Sequence, residues 1–231
     1  MAPFLTPEET KENYINAMGK DLGEIYFTLS NQLTWLYEKW NEYIELYGKK
    51  KSRIELLNNT APSFFGMIQR IMLNDILLHI RRMTDQAGTR GRTNLSLEYL
   101  CALLKSKDED LFNTVSGLID QVKETSKFAR KYVDKKIAHT DSGIALGHSA
   151  MPLESEIRKK IDNILDAFSA VLNAVLLRYV KAEISFKDKS CSDDALTLLH
   201  VLHDGLKVKR EKEIRIQNSE YLSADFEVPD I

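Results

Sequence analysis

At 231 residues, with 43% hydrophobic and 29% charged side chains, the chain has room for one large folded domain and the composition of an ordinary globular protein. Its 32 basic and 34 acidic residues leave a net charge of −2, which excludes a general polycation and confines any nucleic-acid surface to a local patch. Two cysteines, Cys101 and Cys191, are too few for a disulfide framework or a ligand cluster and fit a reducing compartment.

The first residues, Met-Ala-Pro-Phe-Leu-Thr-Pro-Glu-Glu, lack the basic and apolar regions of a secretory signal. No uninterrupted apolar run approaches the roughly 20 residues of a membrane span, so a cytoplasmic protein without membrane contact is expected.

Helical periodicity dominates from end to end. Thr6, Pro7 and Glu9 form an N-cap, a first-turn proline and a capping-box acid, so a helix starts there. A second helix spans residues 21–47, with Tyr26, Trp35, Trp40, Tyr43 and Tyr47 interleaved among Leu29, Leu33, Leu36 and Leu46, and Gly48 stops it. A helical stretch from Ser52 is interrupted or kinked at Pro62. Residues 63–85 are apolar on nearly all faces, which predicts the central, buried helix. Residues 86–94 are the clearest loop, and Ser96 caps a short helix to Leu104.

Asp108 or Asp110 opens a helix whose core stripe, Leu118, Ile119, Val122, Ala129, Val133 and Ile137, leads to His139. A loop over 142–152, an amphipathic helix over 154–184, a polar break over 187–193 and a last helix over 194–217 follow. The half from Lys207 to Arg215 is charged enough to project or cover a surface, and the acidic tail from Asn218 is expected to be loose or to dock late. The expected architecture is an all-α bundle of long antiparallel helices with no sheet. Within a single domain, residues 1–50 form N-terminal helices on the bundle, 51–185 its core, 186–217 a C-terminal helix and 218–231 the tail.

Residues 131–141 (Lys-Tyr-Val-Asp-Lys-Lys-Ile-Ala-His-Thr-Asp) carry the chemistry. On a helix, Lys135 and Lys136 precede His139 by four and three residues and share its face, as does Tyr132 two turns earlier. From Lys127 to Lys136 five cations (Lys127, Arg130, Lys131, Lys135, Lys136) meet one acid, Asp134. RNA supplies its own nucleophile in the ribose 2′-OH. A histidine near neutrality can move the proton, and fixed cations can stabilise charge on the phosphorane. The same residues equally fit a solvated helix end, where the macrodipole favours each cation by about 0.3–1 kcal/mol.

Other constellations are weaker. Asp75, His79 and Arg82 share a stripe of the apolar helix, either as a buried hydrogen-bonded cluster or as the wall of a groove beside His139. His200, His203 and Asp204 have metal-compatible spacing but no second acid-histidine pair, so neither metal nor cofactor is expected. The turn at 88–92 lacks the Gly-Lys-Ser/Thr ending of a phosphate loop, Cys101 reads as core, and Trp35 and Trp40 as core or dimer contacts.

Residues 134–141 (Asp-Lys-Lys-Ile-Ala-His-Thr-Asp) resemble the Arg-polar-x-x-x-Ala-His signature of the HEPN superfamily. Residues 74–85 (Asn-Asp-Ile-Leu-Leu-His-Ile-Arg-Arg-Met-Thr-Asp), 94–97 (Asn-Leu-Ser-Leu) and 144–147 (Ile-Ala-Leu-Gly) resemble its AbiU-type abortive-infection branch. The likeness covers residues 64–179. It implies a homodimeric α-bundle of prokaryotic phage-defence or toxin–antitoxin systems, with an antitoxin or defence partner and, in active members, metal-independent endoribonuclease activity. His139 matches the signature histidine and Asp134 its polar residue, but the arginine position falls on Val133, which reads as core. Arg130, nine residues before His139, faces the other way.

Two functions follow from the resemblance. In the first, the protein cuts RNA: His139 is the acid/base, Lys135 and Lys136 hold phosphate and Asp134 orients. Arg130, Lys131 and Tyr132, with Arg81 and Arg82 from the apolar helix, bind substrate. In the second, the lost arginine leaves a non-catalytic RNA- or protein-binding module.

Overall fold

The computed structural model describes residues 5–89, 91–134, 154–188, 194–220 and 222–226. Helix α1 (Pro7–Met18) starts at the expected capping box: the Glu9 amide donates to Thr6 Oγ1 (3.2 Å) and the Thr6 amide to the Glu9 carboxylate (2.7 Å). Gly19, at φ +82°, turns the chain into α2 (Lys20–Tyr47), which lies back along α1. Contact is closest at Gly23, where a Cβ would stand 2.6 Å from the Ile15 Cα.

Leu22, Tyr26, Leu29, Leu33, Leu36, Trp40, Tyr43 and Tyr47 recur along α2 at alternating spacings of four and three, and none is more than 3% exposed. That period is the one that keeps a seam of side chains facing packed neighbours along a long helix. Several polar tips on this helix find partners: Trp40 Nε1 donates to Asp162 (2.7 Å), Tyr47 Oη to the Phe65 carbonyl (3.1 Å), and Tyr37 Oη meets Ser169 Oγ (2.9 Å); the buried Tyr26 hydroxyl has no hydrogen-bond partner among the described residues.

Helices α3 (Lys51–Thr60) and α4 (Pro62–Met83) follow, with Pro62 in the first turn of α4. The proline therefore begins a helix, since its missing N–H is one the first turn leaves unpaired anyway. Contrary to the sequence expectation, α4 is not the central helix. It buries Phe65, Ile76, Leu77, Ile80 and Met83 but leaves Phe64, Met67 and Ile71 exposed; the central place belongs to α2. An apolar composition on all faces does not say which of those faces a neighbour covers.

Within the loop that follows, β1 (Gly88–Thr89) and β2 (Arg92–Thr93) make a minimal antiparallel pair, turned by Gly91 at φ +77°. Ser96 caps α5 (Leu97–Leu104) through the Tyr99 amide, and Asp108 caps α6 (Glu109–Tyr132) through the Leu111 amide (3.0 Å). Helix α7 (Ser155–Val180) packs along α6 and α2, burying Ile161, Ile164, Leu165, Phe168, Val171, Leu172, Val175 and Leu176. Among the described residues α7 is the one helix long and apolar enough, by length and composition, to cross a membrane. Polar residues punctuate it, so it holds no unbroken apolar run of that length, and its apolar stripe is buried as a core helix's is.

Helix α8 (Ala195–Gln217) is capped by Asp194 and by Glu42 of α2, which accepts from the Ala195 amide (2.6 Å). Its charged second half lies at the surface, as expected. The tail is not wholly loose: a 3-10 turn, Ser223–Phe226, buries Asp225 in a two-point ion pair with Arg215 (2.6 and 3.2 Å). The Arg215 guanidinium holds the Asp225 carboxyl down at about 2. The whole is an all-α bundle.

Gly23→Ala is expected to lower stability by about 1–3 kcal/mol, the ordinary cost of overpacking, because backbone and not a flexible side chain meets the new methyl. Urea denaturation checks it. A change below about 0.5 kcal/mol would show that α1 does not sit this close.

Candidate functional site

The C-terminal ends of α4 and α6 meet, and arginines gather where they do. Arg81 and Arg82 occupy the last turn of α4, where carbonyls without helical partners favour cations. Arg130 of α6 reaches the same end: its guanidinium donates to the Thr84 carbonyl, the C-cap of α4, and stands 3.6 Å from Asp85. On α6, Arg130 faces α4. Its geometry is that of a tie between two helices.

Arg81 leans across to the end of α6, where its Nη1 lies 2.8 Å from Asp134 Oδ1. Both partners keep solvent access, with side chains 37% and 59% exposed. An ion pair this open contributes about 0.2–1 kcal/mol at most. The guanidinium is therefore positioned by Asp134 without being locked to it, and an arriving phosphate, which offers two charge-assisted hydrogen bonds, can compete for it.

Val133 is 2% exposed and is a core residue, as its place on the apolar stripe implied. Tyr132 is half-buried with its ring against Phe128 (6.2 Å between centroids, 53° apart), and burial pushes its phenol up. Lys131 is exposed. His139, Lys135 and Lys136 lie outside the described residues. Of the residues singled out from sequence, the structure thus brings Arg81 to Asp134 and Arg130 to the α4 end.

On the other side of the α4 end, Arg82 enters an open cleft of about 530 Å³ between α2 and α4. Gln32, Trp35 and Lys39 form one wall, Asp75, His79 and Arg82 the other, and residues 93–95 close one end. Both walls follow helical spacing: 32, 35, 39 on α2 and 75, 79, 82 on α4. The α4 stripe is therefore a cleft wall and not a sealed polar cluster. Trp35 is 58% exposed, so the two tryptophans part company: Trp40 is core and Trp35 is not. The α2 wall was missed in the sequence because the aromatic-leucine seam beside it drew the whole helix into the core. The polar stripe at 32, 35 and 39 was the available signal.

The cleft's electrostatics are set by Lys39, whose ammonium meets Asp75 Oδ2 (2.5 Å) and His79 Nδ1 (3.1 Å). Lysine can only donate, so Nδ1 accepts and the ring carries its proton on Nε2. Burial, and then the Lys39 charge, push His79 down to about 4. Elsewhere, burial raises the Cys101 thiol, which behaves as core. His203 Nδ1 lies 3.2 Å from Asp204 in an exposed pair, and among the described residues no group of three or more ligating side chains is placed to hold a metal.

A histidine whose pKa is lowered by folding binds its proton more readily in the unfolded chain. Stability attributable to neutral His79 is therefore complete above about pH 6.5 and falls as pH drops toward 4. The His79 ring should titrate near pH 4 by NMR, and His79→Gln should flatten the loss of urea stability between pH 7 and 4.5. A ring that titrates near 6.5 would remove this account.

Comparison with known proteins adds one finding. The family HEPN_AbiU2, described as AbiU2, matches residues 19–198, which takes in α2, both walls of the cleft and the α4–α6 junction. No curated protein and no solved structure matches.

Proposed function

The chain belongs to the AbiU2 family of HEPN proteins, and from that premise we propose that it is an RNA-directed effector of the abortive-infection kind that cuts RNA without a metal. The observation that carries the reading is the Arg81–Asp134 pair. The family's catalytic arginine position is taken by Val133, which the core needs; Arg81 offers a guanidinium one residue further along, on Asp134, from the neighbouring helix.

In this reading the ribose 2′-OH attacks the adjacent phosphorus, the bond to the 5′-oxygen breaks, and a 2′,3′-cyclic phosphate and a 5′-hydroxyl result. His139 moves the proton, from the attacking hydroxyl or to the leaving oxygen. Arg81 transfers from Asp134 to the phosphorane oxygens, for which its planar fork is suited and a lysine's point charge is not. Lys135, Lys136 and Lys131 draw the backbone in. No cofactor is required, the site of action is the cytoplasm, and an antitoxin or defence-system partner would hold the activity in check. A homodimer would set two such ends across one groove, and the exposed Phe64, Met67 and Ile71 of α4 form an apolar stripe suited to a second copy.

The burial of Val133 favours a second reading, a module that binds RNA or a protein partner without turnover. Incubation with RNA in EDTA separates the two. Cleavage should persist in EDTA, fall by about 10²–10⁴-fold in His139→Ala, fall strongly in Arg81→Ala and recover only in part in Arg81→Lys. RNA left intact by the wild type, or cut equally well by His139→Ala, would end the nuclease reading.

A further inference from the structure

The cleft between α2 and α4 has no part in the chemistry above, yet it is built like a site. We infer that it binds one nucleotide, its base stacked on Trp35 and its phosphate held by Arg82. The inference rests on the RNA-directed reading for the source of that nucleotide, and the same chemistry also describes a free mononucleotide.

Four observations carry it. The volume of about 530 Å³ lies within the roughly 300–1,000 Å³ of small-ligand sites. Trp35 presents more than half of its surface to solvent on a wall whose other members are polar, where an indole gains nothing from core packing and offers a face for stacking. The charges are unevenly matched: Asp75 is held by Lys39 and Asp85 by Arg130. Among the described residues Arg82 makes no ion pair, so it is the cleft's uncompensated cation and the place for an anion. Finally, Gln32 supplies an amide and His79 an Nε2–H donor, groups that can read the edge of a base.

Position joins the cleft to the cutting end. Arg81 and Arg82 are consecutive on α4 and so project about 100° apart, the first to Asp134, just past the end of α6, and the second into the cleft. Asp85 lines the cleft and pairs with Arg130 of α6. A strand whose base sits on Trp35 would carry its backbone over the end of α4 toward Arg81, so the cleft would select which nucleotide lies beside the cut.

Tryptophan fluorescence tests this, because Trp40 is buried and Trp35 is the reporter exposed to a ligand. The probes are the four ribonucleoside 5′-monophosphates, inorganic phosphate, and a short 2′-O-methyl oligonucleotide that offers no nucleophile. Expected are quenching by the oligonucleotide and by at least one monophosphate, loss of affinity by about 10-fold or more in Trp35→Ala, and a shallower salt dependence in Arg82→Gln. Both side chains are exposed, and unchanged circular dichroism and melting would show that the variants fold. Tighter binding of the oligonucleotide identifies RNA as the source, and equal binding a free nucleotide. No quenching by any probe, quenching by phosphate alone, or undiminished binding in Trp35→Ala overturns the inference. If cleavage in EDTA is intact while the probes fail, the cleft alone is wrong. If the probes bind while RNA stays whole, the nuclease reading is the one that fails.

Discussion

The structure depends on the burial of one seam on one helix. Eight side chains of α2, spaced alternately by four and three, give up nearly all their water to the helices packed around it, α1, α4, α5 and α7 among them. At about 1.5–3 kcal/mol for each large apolar side chain fully buried, the seam is matched in number only by the eight buried side chains of α7, and it alone carries four large aromatic rings. The seam also fixes everything that faces away from it. With Leu33, Leu36 and Trp40 turned inward, Gln32, Trp35 and Lys39 must turn toward solvent, and the cleft wall follows from the packing of the core.

Helix boundaries and caps were legible because they rest on local chemistry. Thr6, Ser96, Asp108 and Asp194 each hold the amides that their type and position implied. Which helix is central was not legible. Residues 63–85 carry apolar residues on all sides, but the seam of α2 takes the centre, since period says more about packing than composition does. The acidic tail left two readings open, loose or docked, and its composition did not decide between them; one acid, Asp225, has a partner ten residues back in Arg215.

The candidate site was half legible. The family, the place of Asp134 at the end of α6 and the core character of Val133 can all be read from residue types in order. The distance from Arg81 to Asp134 cannot, because it depends on how α4 crosses α6, and crossing angles are set by many side chains at once. Once α6 is pinned to α4 by Arg130 on the Thr84 carbonyl, Asp134 has a single cation of α4 within reach. In the proposed function, Arg81 takes the role of the arginine that the resemblance places at position 133, where Val133 fills the core instead.

Consecutive arginines on a helix serve two surfaces by necessity. About 100° separates their side chains, so neither can take the other's place without a register shift of α4. Arg81 is matched by an exposed carboxylate that can release it at little cost, whereas Arg82 faces a cleft whose carboxylates are already matched by Lys39 and Arg130. On the two proposals made above, the first would exchange partners during a reaction and the second would hold an anion, and the α4 C-terminus, whose outward carbonyls favour both cations, keeps the two in register.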